Sequence, residues 1–405
     1  MTETINWFIC EEGFGHVVRS CSLIEDFLRN TTSDNITVEI FCGDKNVQIT
    51  ERLSVFHDRI RLHEISSNIK LHKTLGLYLD HHKSLQQLIK WEEMISGWLE
   101  SVLAAREKNT KCLLVVSDSV PQAQLLAEEI GCKCIGISHF TWDWMYQSIN
   151  TKPSIHPSVS DHCVHYRRGI DKMLKLYDLF NYSIFPPLTP QGNLDIFKNR
   201  ERSHGYCSYL LSNSFIDSLV KHNSIEGIDE GEVDTLLVMN NGTQSLTNLI
   251  EQLIISWPLD SNIKLIVGPT HMTDKATQAT IQKSNIKALS SVSEAHNCIG
   301  SVGNILARCG YNTLGEIIHT NALGLLVGEW NNPEITSNLE HATEMGYEVI
   351  EFNELSTERI LNIIDKNKSS GGTKYRRKLL LPKTNLQLGR LQCIRILFDI
   401  INSGT

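Results

Sequence analysis

The chain has 405 residues, too many for one ordinary hydrophobic core, so two domains of about 180–200 residues are expected. A hydrophobic content of 41%, a charged content of 21% and a net charge of −8 describe a globular chain, and no basic stripe interleaved with aromatics points to nucleic acid. No run of about 18 apolar residues argues for a transmembrane segment, which leaves peripheral membrane contact as the only membrane role open.

In chain order, the first strand is expected over residues 5–10, close to the amino terminus, with no room for a secretory leader. The tight turn Gly13-Phe14-Gly15-His16 follows, and an apolar-faced helix starts at about Val17. Further strands are expected over 36–42, 60–65, 112–117 and 134–138, several of them continuously apolar as in parallel sheets covered on both faces. Residues 71–107 read as helix broken in two. From 142 to 203 the pattern weakens around Pro153, Pro157, Pro186, Pro187 and Pro190, and reads as connecting helices and loops. A linker is expected over 205–232. The second half then offers strands over 235–239, 263–267, 286–289, 304–308, 322–327 and 347–350. A terminal helix over about 388–401 carries Leu388, Leu391, Ile394 and Leu397 at helical spacing. Eleven scattered cysteines include no Cys-x-x-Cys pair, and Cys10, Cys42, Cys112 and Cys134 sit in apolar runs, so reduced thiols and a cytoplasmic address are expected.

The strand–glycine turn–helix device appears twice. Its second copy is the strand at 235–239, then Asn241-Gly242-Thr243-Gln244-Ser245, then a helix from about Leu246. Such turns bring backbone N–H groups at a helix start close to an anion, because glycine tolerates positive φ and carries no Cβ. Two copies so far apart imply two Rossmann-like halves with a ligand between them. No lysine follows the second turn in a Gly-Lys-Ser/Thr arrangement, so it is not a P-loop.

His16, at a helix start and the mouth of the sheet, can take a proton from an incoming hydroxyl, since its unperturbed pKa lies near about 6.5. Asp118, at the carboxyl end of the strand over 112–117, is the natural carboxylate to orient it. A lone histidine at a helix start is more often a packing residue; the adjacent glycines and Asp118 favour catalysis. The strongest local signal is Arg308-Cys309-Gly310-Tyr311-Asn312-Thr313-Leu314-Gly315-Glu316. It runs from a strand end into a helix, where a carboxylate can accept both hydroxyls of a ribose while the helix start meets a pyrophosphate. Glu334 and Asn338 share a helix face four residues apart and can meet sugar hydroxyls or solvent. Trp142, Trp144 and Tyr146 suit either sugar C–H surfaces or a core. Asp80-His81-His82 and His162/His165 lie in expected helices with no third metal ligand, so no metal site is expected.

Together these motifs resemble the two-domain GT-B glycosyltransferases, and within them the peptidoglycan enzyme of the glycosyltransferase family 28 type that adds N-acetylglucosamine to a lipid-linked muramyl peptide. The segment from Ser117-Asp118-Ser119-Val120-Pro121 to Ser138-His139-Phe140-Thr141-Trp142-Asp143-Trp144 is also similar to the glycosyltransferase-like half of some sugar kinases. The resemblance implies an α/β fold of two Rossmann-like domains (1–205 for the acceptor, 206–385 for the donor) facing across a cleft, with a helix at 386–405 returning to the first. It implies an inverting, metal-independent hexosyltransferase that needs no cofactor beyond a nucleotide-sugar co-substrate, a UDP-sugar first. His16 and Asp118 would be catalytic, with Gly13, Gly15, Arg19, Trp142 and Trp144 on the acceptor side. Gly242, Thr243, Gln244 and Ser245 would line the diphosphate, Val292 and Glu316 the base and ribose, and Asn312, Thr313, Glu334 and Asn338 the donor sugar. Glu334 stands where the family often has glutamine, and a carboxylate cannot donate, which points away from N-acetylglucosamine. The acceptor stays unidentified. The alternatives are a nucleotide-sugar hydrolase or 2-epimerase on the same fold, and a nucleotide-sugar-binding protein without turnover.

Overall fold

The computed structural model describes residues 2–31, 33, 35–44, 46–74, 78–150, 163–223, 234–239, 244–268, 273–290, 292–320, 322–328, 331–369 and 383–403. Two compact units emerge: Met1–Lys73, Leu79–Leu210 and Leu388–Thr405 form the first, and the second is built on Leu211–Gln387.

The first unit holds β1 (Glu3–Ile9), β2 (Ile36–Cys42), β3 (Ile60–Glu64), β4 (Lys111–Asp118), β5 (Cys134–Ile137), β6 (Tyr182–Phe185) and β7 (His204–Tyr206). These form one parallel sheet in the order β3-β2-β1-β4-β5-β6-β7. Between them run α1 (Phe14–Asn30), α2 (Asn46–Arg52), α3 (His81–Ala105), α4 (Ala123–Ile130), α5 (Trp142–Asn150), α6 (Cys163–Asp178) and α7 (Gln191–Asn199). Alternation along β1 sends Phe8 into one core with α3, α4, α5 and α6, and Ile5, Trp7 and Ile9 into another with α1. Both faces are covered, which is why these strands read as continuous apolar runs.

The second unit holds α8 (Asn213–Asn223), β8 (Thr235–Val238), α9 (Gln244–Ser256), β9 (Lys264–Val267), α10 (Asp274–Gln282), β10 (Ile286–Ala288) and α11 (Val292–Ile299). It continues with β11 (Asn304–Arg308), α12 (Tyr311–Ile318), β12 (Leu323–Gly328), α13 (Pro333–Glu344), β13 (Glu348–Glu351) and α14 (Thr357–Ser369). Its parallel sheet runs β10-β9-β8-β11-β12-β13. The last helix, α15 (Lys383–Asn402), places Cys393, Ile394 and Leu397 in the same core as Ile5 and Trp7. Phe398 of α15 stacks on Phe27 of α1 at 5.1 Å between ring centroids.

Three expectations are corrected. Residues 71–107 hold one helix, not two: Asp80 accepts from the Lys83 backbone N–H at 3.0 Å, and α3 starts there and runs unbroken. Asp80 is a strong N-cap, whereas Lys73 and Leu79 before it form an antiparallel bridge. The stretch 142–203 contributes β6 as well as helices; β6 is only four residues long and interrupted by Ser183, too short to show a period. The region 205–232 contains the end of β7 and all of α8, whose Phe215, Ile216 and Leu219 are buried, so its described part is ordered structure rather than linker. Among the described residues, no helix is long and apolar enough to cross a membrane.

In both sheets the chain winds outward in two directions from a central pair, β1/β4 in the first and β8/β11 in the second. Ligands of open α/β sheets bind outside the carboxyl ends of the strands at such switch points. β1 leads into Gly13 and His16, and β4 ends on Asp118.

Candidate active site

Gly13 caps α1 with φ 79°, a left-handed value that favours glycine, and a Cβ there would meet nothing within 4 Å. Its role is therefore conformational rather than steric. Gly15 and His16 lie in the first turn of α1, and His16 is only 6% exposed.

His16 Nδ1 lies 2.7 Å from Oδ1 of Asp118. A proton must sit between a ring nitrogen and a carboxylate at that distance, and with Asp118 ionised it belongs to the imidazole, so in the neutral ring Nε2 is the acceptor. Asp118 is fully buried and accepts three further hydrogen bonds. Ser20 Oγ donates to Oδ2 at 2.7 Å and Arg19 Nε at 3.2 Å, and Arg19 Nη2 donates to Oδ1. Ser20 in turn accepts from the Trp7 indole at 3.1 Å. Burial alone would raise the Asp118 pKa; the Arg19 and His16 beside it hold the carboxyl well below the usual carboxylate range. His16, Arg19 and Ser20 can share one carboxylate because positions three and four apart lie on one helix face.

The backbone after Asp118 is strained. Ser119 has φ 59°, and its hydroxyl and that of Ser138 meet at 2.6 Å. The Trp142 indole N–H donates to the Ser119 carbonyl at 2.9 Å. Trp142 is fully buried, with Phe140 edge-on and Tyr146 tilted against it, so its expected place as an acceptor-side sugar platform is corrected: it packs in the core and holds the strand end bearing Asp118. Trp144 is 9% exposed in the same core. Arg19, also expected on the acceptor side, is 2% exposed and turned onto Asp118. Phe140 presents an edge to His16 at 6.4 Å between centroids.

In the second unit, Gly310 caps α12 with an ordinary φ of −77°, and Asn312 and Thr313 sit partly exposed in its first turn. Glu316 lies a turn further in, 3% exposed, and accepts from Ser212 Oγ at 3.3 Å. Asn338 is fully buried and donates to the Cys309 carbonyl at 3.0 Å, tying α13 to the turn between β11 and α12. Glu334 is half-buried in the first turn of α13, where Asn332 accepts from its backbone N–H at 3.1 Å. The expected shared face of Glu334 and Asn338 is thus split between surface and core. Gln244 and Ser245 open α9 and Val292 opens α11, and their side chains lie outside the described residues, as do Asn241, Gly242 and Thr243 entirely.

Among the described residues no group of three His, Cys, Asp or Glu is placed to hold a metal. His82 meets Gln86 at 3.0 Å, His165 is exposed, and His162 lies outside the described residues. Ser20, Trp7, Ser119 and Ser212 were not legible as site residues. Only Ser20 carried a signal, its four-residue offset from His16.

No family model matches the chain, and no curated protein matches it. Solved structures do. The glycotransferase of kitacinnamycin is similar over 99% of this chain and 99% of its own, with 15% identity and a TM-score of 0.68. CalG4, the calicheamicin glycosyltransferase, is similar over 100% of both chains, with 14% identity and a TM-score of 0.65. A UDP-glucose: anthocyanidin 3-O-glucosyltransferase in complex with UDP is similar over 100% of this chain and 99% of its own, with 13% identity and a TM-score of 0.56. The likeness spans the whole chain, which has the GT-B fold.

Proposed function

We propose that this GT-B chain is an inverting, metal-independent glycosyltransferase that moves a sugar from a nucleotide diphosphate to a hydroxyl acceptor. The observation that carries the reading is the buried His16–Asp118 pair at the switch point of the first sheet. His16 Nε2 takes the acceptor proton, and the acceptor oxygen attacks the anomeric carbon from the face opposite the nucleotide. The bond from that carbon to the diphosphate breaks as the new C–O bond forms. Asp118 holds the imidazole in its Nδ1–H form and stabilises the cation that results.

The donor is assigned to the second unit. Residues 241–245 and the start of α12 meet the diphosphate, Glu316 the ribose and the start of α11 at Val292 the base. Asn312, Thr313 and Glu334 are left for the donor sugar. A UDP-sugar is the first candidate, supported by the structural neighbour that is in complex with UDP. No group beyond this co-substrate is invoked.

The test is thermal denaturation of wild type and Glu316→Gln with a panel of nucleoside diphosphates and their sugars. A ligand present at 100 times its Kd adds about 2.7 kcal/mol to the folded state. One base series should raise the melting temperature of wild type, and Glu316→Gln should weaken that ligand at least about tenfold, the scale of one lost charged hydrogen bond. No response to any nucleotide would overturn the donor assignment. Turnover of the stabilising nucleotide sugar without an acceptor would replace transfer by hydrolysis.

A further inference from the structure

Arg19 is a charged side chain buried at the site with no part in the transfer chemistry described above. It stands three residues after His16 on α1, and its guanidinium spans both oxygens of Asp118, Nε to Oδ2 at 3.2 Å and Nη2 to Oδ1. The same Nη2 lies 3.0 Å from His16 Nδ1. It cannot donate to Nδ1 while that nitrogen carries the proton shared with Asp118, so the contact sets two donors side by side against one carboxylate.

We infer that Arg19 is a positioning residue for the proposed base: its guanidinium locks the Asp118 carboxylate in register with His16 and, as a fixed cation beside the ring, offsets the pull of that carboxylate for a proton on the imidazole. This rests on the role proposed for His16. Asp118 alone would draw a proton onto His16 and hold it there; paired with Arg19 it still orients the ring while most of its charge is already met. The carboxylate is thereby held where it can meet the imidazolium as it forms. Lysine could supply the charge but not the planar two-point grip.

The groups on the segments beside Asp118 and His16 leave this balance to Arg19 and Asp118. Ser20 donates to Asp118 from α1. Cys10, just after β1, has its thiol pushed up by burial and by the charges of Glu11 and Asp118, against a smaller lowering from a hydrogen bond to the Glu12 backbone. Phe140 stands edge-on to His16, and His139 lies against Phe140 at 4.9 Å between centroids. Glu11 is engaged by the Ser67 and Asn68 backbone N–H groups, and Glu12 pairs with Lys73 at 3.8 Å.

The experiment is a pH titration of His16 by NMR in protein labelled at histidine, its signal assigned by loss in His16→Gln. Arg19→Met should move the His16 titration up by about one pH unit or more, the scale of one close charge, and Arg19→Lys should return part of that shift. Because Arg19→Met leaves Asp118 buried and partly unpaired, Asp118→Asn and the double variant Arg19→Met/Asp118→Asn are measured as well. His16 should titrate lower in Asp118→Asn than in wild type, and higher in the double variant than in Asp118→Asn. An unmoved titration in folded Arg19→Met overturns the inference. Should that variant not fold, identical titrations in Asp118→Asn and the double variant overturn it. No substrate enters the measurement, so it can succeed while nucleotide binding fails, and the two readings fail separately.

Discussion

Asp118 accepts four hydrogen bonds from three side chains, more than an orienting carboxylate needs. Burial opposes its charge and Arg19 and His16 favour it, and the second influence wins, because its pKa is depressed. A depressed carboxyl stabilises the fold above its unfolded pKa of about 3.9, and that stability is lost as pH falls below it. Asp118→Asn leaves Arg19 buried without its counter-charge, and at pH 7 it should cost about 3–5 kcal/mol in urea denaturation. The gap to wild type should narrow at pH 3. An equal gap at both pH values would mean that the carboxyl is not held ionised by its neighbours. The pairing of His16 with Asp118, 102 residues apart, was legible because each follows the carboxyl end of an apolar strand. Trp142 was misplaced because an indole that grips a backbone carbonyl has the same spacing in sequence as one that faces a sugar. What separates them is the left-handed turn at Ser119, a serine that carries no mark of its φ.

At the scale of elements, long apolar strands were legible and short or capped ones were not. β4 is continuous over residues 114–118 and buried throughout, whereas the three-residue β7 has one exposed and two half-buried positions and no pattern to read. The start of α3 was hidden for another reason: apolar residues precede it, and only the cap decides where the helix begins. Asp80 provides that cap, so Asp80→Ala should lower stability by about 1 kcal/mol, while Asp80→Asn, which keeps an accepting oxygen, should stay close to wild type. Chemical denaturation of the three proteins decides it. Equal losses for alanine and asparagine would point to the carboxylate's charge, and hence to Lys83, which pairs with Asp80 at 3.6 Å, instead of the cap. The elements of the second unit were placed well by period, and yet Asn338 turned inward, because a helix face read from sequence does not reveal which of two positions is covered.

At the scale of the whole chain, the first unit is not complete without α15, which supplies part of the core under β1. The helix was legible from its apolar spacing, but its contact is set by a residue that the spacing ignores. Gly389 lies so close to the segment after β7 that a Cβ would come within 2.3 Å of the Ser208 carbonyl oxygen and 2.4 Å of that of Tyr209. Both are backbone atoms of a chain that Gln392 holds by accepting from the Ser208 N–H at 2.7 Å, so neither can swing aside. In an open helix, glycine to alanine gains about 1 kcal/mol from helix propensity. Here the clash reverses the sign, because α15 must lift away from its seat and expose Ile394 and Leu397. Gly389→Ala should therefore lower the denaturation midpoint and speed hydrogen exchange in α15 and the facing part of α1. Arg395→Ala, at an exposed position of the same helix, should do neither. A more stable Gly389→Ala, with α15 still protected, would show that the terminal helix tolerates a wider seat and that its docking rests on the apolar stripe alone.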